Sequence, residues 1–393
     1  MKSPCTGFLL AISFFLLHSC TNPKIKLQNE SQVPELNINL AKDPPFDFEI
    51  VKFIPVSNKR PVSDLSFKKP DTVFFLSRIV YAQIFVDRIY LKDDKDGSLG
   101  IAYLFDLKGG LIWKSRKGKG PGEIVAANNL YADPFSGDLV INDGGVRIHR
   151  FSKDGRFINK NESPFGINFM NSLSPDIEVF VSSAYTGKPY KVFQINGGEI
   201  IPYPIQHLIT KGTPEFGETN NFQYFNEHLL FTYYLTDTVY SLTATELRPF
   251  LRLNFIPSGI GSLSRKQIAG TTRVSELFRE QKISHKSDWF CFHEDFFYCH
   301  ASNNQYRYIC KVNYKTNQSW VQRLDKVNVF GISYPQLHFV GYAPDGLIFS
   351  LDADRLGTAA REGLLDLASL ESGILSRLKK LSNLDNPVLV IVK

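Results

Sequence analysis

The sequence predicts an all-β fold, a six-bladed β-propeller with small helical insertions at about residues 262–282 and 357–383. Three observations predict this fold. The chain contains 32 Phe and 17 Tyr against 2 Met, a composition that favours strands over helices. A short hairpin pattern recurs along the chain. The spacing of its copies matches the length of a four-stranded propeller blade.

The first residues have the parts of a bacterial export signal. Lys2 gives a basic start, and a short apolar run follows over Phe8–Leu17. This run is well below the ~20 apolar residues of a membrane-spanning helix, so we predict a cleaved signal over residues 1–20. The residues up to Cys20 resemble the lipobox of bacterial lipoproteins, which implies a lipid anchor on the Cys20 thiol. An ordinary cleaved signal that contains a cysteine is the alternative.

Residues 21–45 are polar, contain four prolines and show no apolar period. We therefore predict a flexible tether there, between the lipid and the first strand. The propeller is predicted over residues 46–393, a length that suits a repeat-built architecture better than one single core. A strand within Phe46–Val56 beside Val388–Val392 would close the ring and protect the strand edges of its first and last blades.

The recurring hairpin consists of an aromatic strand end, a polar turn and a second strand. Glycine suits the turn because primed two-residue turns require positive φ, which glycine adopts without strain. The turn residues are Gly109, Gly155, Gly197, Ala244 and Thr316. Their intervals are 46, 42, 47 and 72 residues, and the longest interval contains the predicted insertion at 262–282. Three intervals near blade length predict repeated four-stranded sheets.

The last blade departs from this pattern. A sixth hairpin lies at residues 340–349, and apolar residues then recur at helical spacing. These residues are Leu367, Leu370, Ile374, Leu378 and Leu381. We therefore predict a helix within residues 357–383, inserted in the sixth blade, and a final short strand over Val388–Lys393.

A glycine-rich turn after the first hairpin carries a family resemblance. Its residues are Gly118, Lys119, Gly120, Pro121, Gly122 and Glu123. Together with Leu235–Leu242 and Asp385–Ile391, this turn resembles the six-bladed β-propeller lipoproteins of Bacteroidota, relatives of NHL- and TolB-type propellers. In that family a G-x-G-P-G-E turn connects successive blades. The resemblance implies a fold more than a function.

A phosphate-binding loop is the alternative for this turn. Such loops lead into a helix and carry a following Lys-Ser or Lys-Thr pair. Here Ile124–Asn129 predicts a strand, so we interpret Gly118, Gly120, Pro121, Gly122 and Glu123 as a structural turn between blades. We expect the Glu123 carboxylate to accept backbone hydrogen bonds within it.

The densest group of metal-ligating residue types is Cys291–His300, a predicted hairpin on which Cys291 and Cys299 could lie opposite each other. Its spacing matches no common zinc pattern, so we predict no metal and no cofactor. One disulfide among Cys291, Cys299 and Cys310 is an alternative. Buried free thiols are favoured, because cysteine behaves as a small apolar residue. Asp93–Gly97 lacks the downstream Glu of an EF-hand loop, which favours a solvated turn.

No catalytic constellation stands out, because the His residues are scattered singly and no pair of carboxylates can be assigned. The sequence therefore favours a binding or assembly module, with a glycan or a partner protein bound at one face of the propeller channel. The alternative is a propeller lyase or hydrolase that acts on an extracellular polymer. The net charge of +6 is not concentrated in a basic stripe, which argues against nucleic-acid binding.

The residues after Cys20 bear on location. Thr21 stands where an Asp would resemble an inner-membrane retention signal, which favours the outer membrane. Acidic residues follow the cysteine in many surface-exported relatives, and Asn22–Lys26 contains none. We therefore predict an outer-membrane lipoprotein that faces the periplasm rather than the cell surface.

Overall fold

The structure is a computed structural model in which part of the chain is described. The described residues are 26–27, 33–56, 76, 78–94, 100–182, 190–205, 222–233, 236–256, 258–259, 263, 267, 274–303, 305–329, 332–333, 337–365, 372–382 and 385–393. Strands dominate this part of the chain. The predicted signal and Cys20 lie outside it.

Most strands belong to antiparallel meanders of four, and three further strands precede them. The first three are β1 (Lys26–Leu27), β2 (Glu35–Asn39) and β3 (Ile50–Pro55). The first meander is β4 (Ile79–Phe85), β5 (Arg88–Asp93), β6 (Ile101–Asp106) and β7 (Leu111–Lys114). A short connection follows with β8 (Arg116–Lys117) and β9 (Glu123–Ile124).

Three further meanders continue the same order. The second is β10 (Ala127–Ala132), β11 (Leu139–Asp143), β12 (Arg147–Phe151) and β13 (Phe157–Glu162). The third is β14 (Ile167–Ser174), β15 (Ile177–Ser182), β16 (Val192–Asn196) and β17 (Glu199–Pro202). The fourth is β18 (Phe222–Phe225), β19 (His228–Phe231), β20 (Thr238–Leu242) and β21 (Glu246–Ile256).

The remaining elements include the described helices. Helix α1 (Val274–Glu280) precedes the fifth meander, β22 (His285–His293), β23 (Phe296–Ser302), β24 (Arg307–Asn313) and β25 (Gln318–Arg323). A 3-10 turn (Leu324–Lys326) and the short pair β26 (Asn328–Val329) and β27 (Ile332–Ser333) follow. The last elements are β28 (Leu337–Ala343), β29 (Gly346–Leu351), α2 (Ala353–Arg361), α3 (Ser372–Leu378) and β30 (Val388–Val392).

Hydrogen bonding groups these strands into a propeller arrangement, and the predicted all-β class is confirmed. Four sheets each contain one meander, namely β10–β13, β14–β17, β18–β21 and β22–β25. The other long sheet has eight strands in the order β3-β30-β29-β28-β4-β5-β6-β7. The described residues therefore form four separate blades and not the six separate blades predicted. The cause is that β28 and β4 pair in parallel, with Gly341 opposite Ala82.

Strands β3 and β30, which are far apart in the sequence, meet in the eight-stranded sheet. Strand β3 pairs antiparallel with β30, and Phe53 lies opposite Val390. The pairing continues beyond the strands, because Glu49 and Lys393 exchange two backbone hydrogen bonds of 3.0 and 2.9 Å. This is the latch predicted from Phe46–Val56 and Val388–Val392.

The predicted tether over residues 21–45 is wrong for residues 33–45. Strand β2 pairs in parallel with β21, the outer strand of the fourth meander. Leu36 and Ile38 alternate with exposed residues and are buried in the core, which is why this segment is held as a strand. The chain then crosses to the fifth meander, where Val321 N donates to Pro44 O at 2.9 Å. Residues 28–32 lie outside the described part.

The helical insertions also differ from the prediction. Helix α1 falls within residues 262–282, although much of that insertion lies outside the described residues. The helix predicted over 357–383 is two helices, and the first begins earlier, at Ala353. Asp352 fixes this start because its Oδ1 accepts from Arg355 N at 3.0 Å as an N-cap. The predicted single helix is therefore wrong in its bounds.

The hydrophobic core consists of layers between consecutive meanders. One cluster joins β4–β7 to β10–β13, and further clusters join each meander to the next along the chain. Another joins the fifth meander to β28–β30, and one more joins β28–β30 and β3 back to β4–β7. The core thus follows a closed circuit, with apolar burial as the main stabilising term in each layer. Trp289 belongs to it.

Candidate functional site

The first strand of each meander lies innermost, and polar side chains join these strands to their neighbours. On β4, Gln83 Oε1 accepts from Ala132 N of β10 at 2.9 Å. On β18, Gln223 binds both backbone groups of Phe292: its Oε1 accepts from the N–H at 2.6 Å, and its Nε2 donates to the carbonyl at 2.8 Å. These amides satisfy backbone groups that no strand partner reaches. The first strands therefore surround a common centre.

Side chains narrow this centre where the first strands end. The Tyr131 hydroxyl lies 3.0 Å from Ser172 Oγ, and the Tyr224 hydroxyl donates to Leu173 O at 2.7 Å. Phe135 meets the Tyr224 ring edge-on, with 5.6 Å between ring centroids. The second, third and fourth meanders are thus joined at this end, opposite the end where the first strands begin.

A cavity of about 390 Å³ lies at that opposite end, where the first strands begin. Strands β4, β10, β14 and β28 each contribute residues from their first half, and the end of β5 contributes two more. Its polar lining residues are Arg78, Lys92, Asp94, Asn128, Asn129 and His338. Its aromatic lining residues are Tyr81, Phe169 and Phe339. A volume in this range suits a small ligand.

Two of the charges in the cavity neutralise each other. Lys92 Nζ lies 3.3 Å from Asp94 Oδ1 and donates to Asn128 O at 3.1 Å. The pair therefore joins the first meander to the second and leaves Asp94 as an ion-paired carboxylate. Among the described residues that line this cavity, Asp94 is the only carboxylate, and it is paired with Lys92.

Arg78 and His338 complete the polar wall. Burial and the nearby Arg78 charge lower the pKa of His338 below its ordinary value of 6.5, so its imidazole is neutral at pH 7. Arg78 is exposed, and its side chain forms no ion pair within the described part of the chain. The cavity therefore presents one guanidinium, neutral hydrogen-bonding groups and aromatic faces.

The aromatic wall is supported from behind. Phe339 stacks on Trp289 with ring centroids 3.5 Å apart and an interplanar angle of 12°. Trp289 Nε1 in turn donates to His300 Nδ1. Burial lowers the pKa of His300 to about 3, so it stays a neutral acceptor. These contacts hold the Phe339 ring in one orientation at the cavity wall.

A second cavity of about 400 Å³ opens at the other end, between the second and third meanders. Arg150 lies within it, 2.5 Å from Asp133, 3.7 Å from Asp138 and 3.2 Å from Glu178. Burial raises the pKa of Glu178. Burial also acts to raise the pKa of Asp133, but the hydrogen bond from Arg150 outweighs it and the pKa is lowered. This network joins two meanders and sets one arginine against three carboxyl groups, so the cavity is acidic.

The glycine-rich turn connects the first meander to the second. Glu123 Oε2 accepts from Gly120 N at 2.8 Å, as the sequence predicts. A Cβ at position 118 would lie 2.0 Å from the same oxygen, and Gly122 has a φ of +73°. The turn therefore folds around a carboxylate of its own. None of Gly118, Gly120, Pro121, Gly122 and Glu123 lines either cavity.

The strand register places the cysteines differently from the expectation that Cys291 and Cys299 lie opposite each other. Cys299 lies opposite Cys310, whereas Cys291 lies opposite Tyr298. The thiols of Cys291, Cys299 and Cys310 are buried and free, and burial raises the pKa of Cys291 to about 12. Within the described residues no group of three or more His, Cys, Asp or Glu could hold a metal ion. Part of the acidic loop at 93–97 lies outside the described residues.

The sequence alone did not identify the cavity residues. Arg78, Lys92 and His338 have ordinary sequence surroundings, and none belongs to a motif. The signal that could have found them is position, because each stands where the first strand of a meander begins or the second ends. That position becomes meaningful once the meanders are arranged around a centre.

Comparisons with known proteins agree with this architecture. Residues 71–393 match the family described as "Domain of unknown function (DUF4934)". The chain is similar to the solved structure of an exported protein, BF0058, from Bacteroides fragilis, with 15% identity, a TM-score of 0.68, and coverage of 92% of this chain and 99% of that chain. No curated protein matches the chain.

Two further solved structures are more distant. BamB from Moraxella catarrhalis is 10% identical, with a TM-score of 0.37 and coverage of 77% and 75%. The β-propeller domain of the Trilobed protease from Pyrococcus furiosus is 8% identical, with a TM-score of 0.35 and coverage of 71% and 79%. The similarity to BF0058 shows the fold alone. The predicted relation to NHL- and TolB-type propellers stays a prediction.

Proposed function

The chain belongs to the DUF4934 family, and we propose that it is an exported, lipid-anchored β-propeller that binds a glycan in the cavity where its first strands begin. The observation that carries this proposal is the lining of that cavity. Four first strands converge on about 390 Å³ of space walled by both hydrogen-bonding groups and aromatic rings. A binding site at the mouth of a ring of strands is the usual ligand position in such folds.

The chemistry of the lining favours a glycan over a protein surface. The side-chain amides of Asn128 and Asn129 form no hydrogen bond within the described residues, so both can bind hydroxyl groups. Phe339 presents a fixed ring, against which the apolar face of a sugar can pack. A concave cavity of this size encloses a few sugar units, whereas a protein partner requires a much larger contact surface.

We further propose that the eight-stranded sheet comprises two blades, which gives six around the ring. Its two halves, β4–β7 and β28–β29–β30–β3, each have the four-stranded meander of the other blades. The core supports this count, because the layer between these halves resembles the layers between separate blades. In this arrangement the ring is closed by backbone pairing in addition to side-chain packing.

The position of β1 supports an orientation relative to the membrane. Lys26 pairs with Glu246 at the start of the fourth strand of a meander, which is the end opposite the cavity. Cys20 precedes Lys26 by six residues, which span at most about 20 Å when extended. A lipid on Cys20 would therefore hold the cavity facing away from the membrane. We propose an outer-membrane anchor with the propeller in the periplasm. Among the described residues, no helix has the length and apolar character needed to cross a membrane.

The anchor is tested by metabolic labelling with an alkyne fatty acid. We expect the wild-type chain to carry the label, the Cys20→Ser variant to lose it, and the Cys291→Ser variant to keep it. Label that persists in Cys20→Ser would contradict the anchor. Release of the protein by protease treatment of intact cells would contradict the periplasmic orientation.

Glycan binding is tested on an array with the full chain purified in detergent. We expect specific binding that Asn128→Ala weakens by about tenfold, since a lost hydrogen bond to a buried ligand costs roughly 1–2 kcal/mol. Asn196→Ala is the matched control, because Asn196 is exposed at the opposite end of the fold. A blank array, or equal losses in both variants, would contradict the proposal.

A lyase is the second candidate, because His338 and Arg78 line the same cavity and a neutral imidazole can accept a proton. A hydrolase with two carboxylates is disfavoured, since Asp94 is the carboxylate in the lining and it is paired with Lys92. Incubation of the protein with the bound glycan separates binding from cleavage. Shortening of the polymer that depends on His338 would favour the lyase.

A further inference from the structure

We propose that the ligand carries a carboxylate, as an acidic sugar does, and that the Arg78 guanidinium is the counter-charge which binds it. This inference rests on the proposed function of the cavity as a glycan site. It adds a ligand class and a residue that determines specificity. It follows from how the charges of the cavity are paired.

Arg78 differs in its pairing from three arginines that form ion pairs. Arg88, Arg150 and Arg323 each form an ion pair of 3.2 Å or less with an acidic side chain. Arg78 has no such partner within the described part of the chain, although it lies against the cavity. A guanidinium that faces a cavity and has no carboxylate partner retains its full capacity for two parallel hydrogen bonds.

The second cation of the cavity is already occupied. Lys92 Nζ binds Asp94 Oδ1 at 3.3 Å and Asn128 O at 3.1 Å. Its charge is therefore balanced before any ligand arrives. The imidazole of His338 is uncharged at neutral pH, because burial and Arg78 lower its pKa. Arg78 is left as the one uncompensated charge among the described residues that line the cavity.

The backbone at Arg78 is held in place on both sides. Arg78 N donates to Asp93 Oδ1 at 2.6 Å, and Asp94 N donates to Arg78 O at 2.9 Å. The Asp93 side chain is fully buried, so this anchoring point does not shift with solvent. The guanidinium therefore extends from a fixed Cα at the cavity mouth, which lowers the entropy lost on binding an anion.

The charge balance selects a single negative charge. One guanidinium balances the single charge of a carboxylate, whereas a dianion such as phosphate would leave one negative charge uncompensated in the cavity. The planar fork of Arg78 matches a carboxylate in a bidentate arrangement. Asn128 and Asn129 then supply partners for sugar hydroxyls, so a carboxylate on a sugar ring satisfies both kinds of group.

The test is isothermal titration of the full chain with trigalacturonate and with its trimethyl ester, in which none of the three carboxyl groups is charged. We expect trigalacturonate to bind at least about tenfold more tightly than the ester. Arg78→Gln should remove that preference and leave binding of the ester unchanged, and Arg78→Lys should restore part of it. Arg156→Gln, at an exposed position on the opposite end, should bind both as the wild type does.

Each other outcome has a defined meaning. Equal affinity for both sugars, or trigalacturonate binding that survives Arg78→Gln, would overturn this inference and leave glycan binding intact. Inorganic phosphate that displaces trigalacturonate with comparable affinity would also overturn it, because an anion site without sugar selectivity would then be present. If neither sugar binds and the glycan array is blank, both this inference and the proposed function fail.

Discussion

Gly341 on β28 lies opposite Ala82 on β4, and a Cβ at position 341 would be 1.7 Å from the Ala82 carbonyl oxygen. No other amino acid fits there without moving one of the two strands. The last and first meanders therefore meet through backbone contact, which merges them into one sheet. This contact lies beside the strands that form the cavity.

Replacing Gly341 should open this junction. We expect Gly341→Ala to lower the free energy of unfolding by about 3 kcal/mol, because the added methyl group collides with backbone that cannot rotate away. Gly197→Ala is the control, since a Cβ there meets nothing within 4 Å and only its φ of +56° opposes the change. Urea unfolding measures both. Equal losses for the two variants would contradict the close approach.

Arg150 should stabilise the junction of the second and third meanders. Arg150→Met leaves Asp133 and Glu178 without their counter-charge, and we expect a loss of about 3 kcal/mol in the free energy of unfolding. Arg156→Met, at an exposed position on the same meander, should cost less than about 0.5 kcal/mol. The same denaturation experiment compares them. An Arg150→Met variant with an unchanged free energy of unfolding would show that the network does not stabilise the fold.

Glu123 should matter for the glycine-rich turn and not for binding. Glu123→Ala removes the acceptor for Gly120 N, and we expect a loss of about 1–2 kcal/mol in the free energy of unfolding. Glu199→Ala is the matched exposed control. Titration with trigalacturonate should give the wild-type affinity for both variants. A lost affinity in folded Glu123→Ala would place the turn in the binding site.

His300 should make the fold sensitive to acid. Burial lowers its pKa from 6.5 to about 3, so between these values the unfolded chain binds a proton that the folded chain does not. The free energy of unfolding should therefore fall by about 1.4 kcal/mol for each pH unit below 6.5. Above pH 6.5 both states hold His300 neutral, so His300 adds no pH dependence there.

The variant His300→Phe isolates this contribution. We expect wild type to lose about 2 kcal/mol more than the variant between pH 6.5 and pH 5, measured by urea unfolding at each pH. The variant also loses the acceptor for Trp289 Nε1, which lowers its stability at every pH but leaves the difference in slope. Parallel pH profiles would mean that His300 becomes protonated in the folded protein.

The sequence predicted local features of this fold better than its connections. Glycine at 109, 155 and 197 has positive φ at hairpin turns, as its pattern requires. The latch of β3 on β30 was also predictable, since a ring of strands leaves two edges to pair. The eight-stranded sheet was not predictable from the sequence, because no local pattern around Gly341 indicates that another strand packs against it.

The N-terminal segment and the cavity show the same difference. Prolines and polar residues indicated a tether over the N-terminal segment. Leu36 and Ile38, however, follow the two-residue period of a strand, and their burial makes this segment a strand. Arg78 and His338 stand about 260 residues apart and meet because the meanders are arranged in a ring. Such proximity depends on tertiary packing, which no local pattern contains.

A crystal structure of the full chain with trigalacturonate bound is the decisive experiment. We expect the sugar in the cavity between β4, β10 and β28, with a carboxylate within hydrogen-bonding distance of the Arg78 guanidinium and hydroxyl groups near Asn128. Sugar bound in the acidic cleft around Arg150, or at any other surface with this cavity empty, would contradict it.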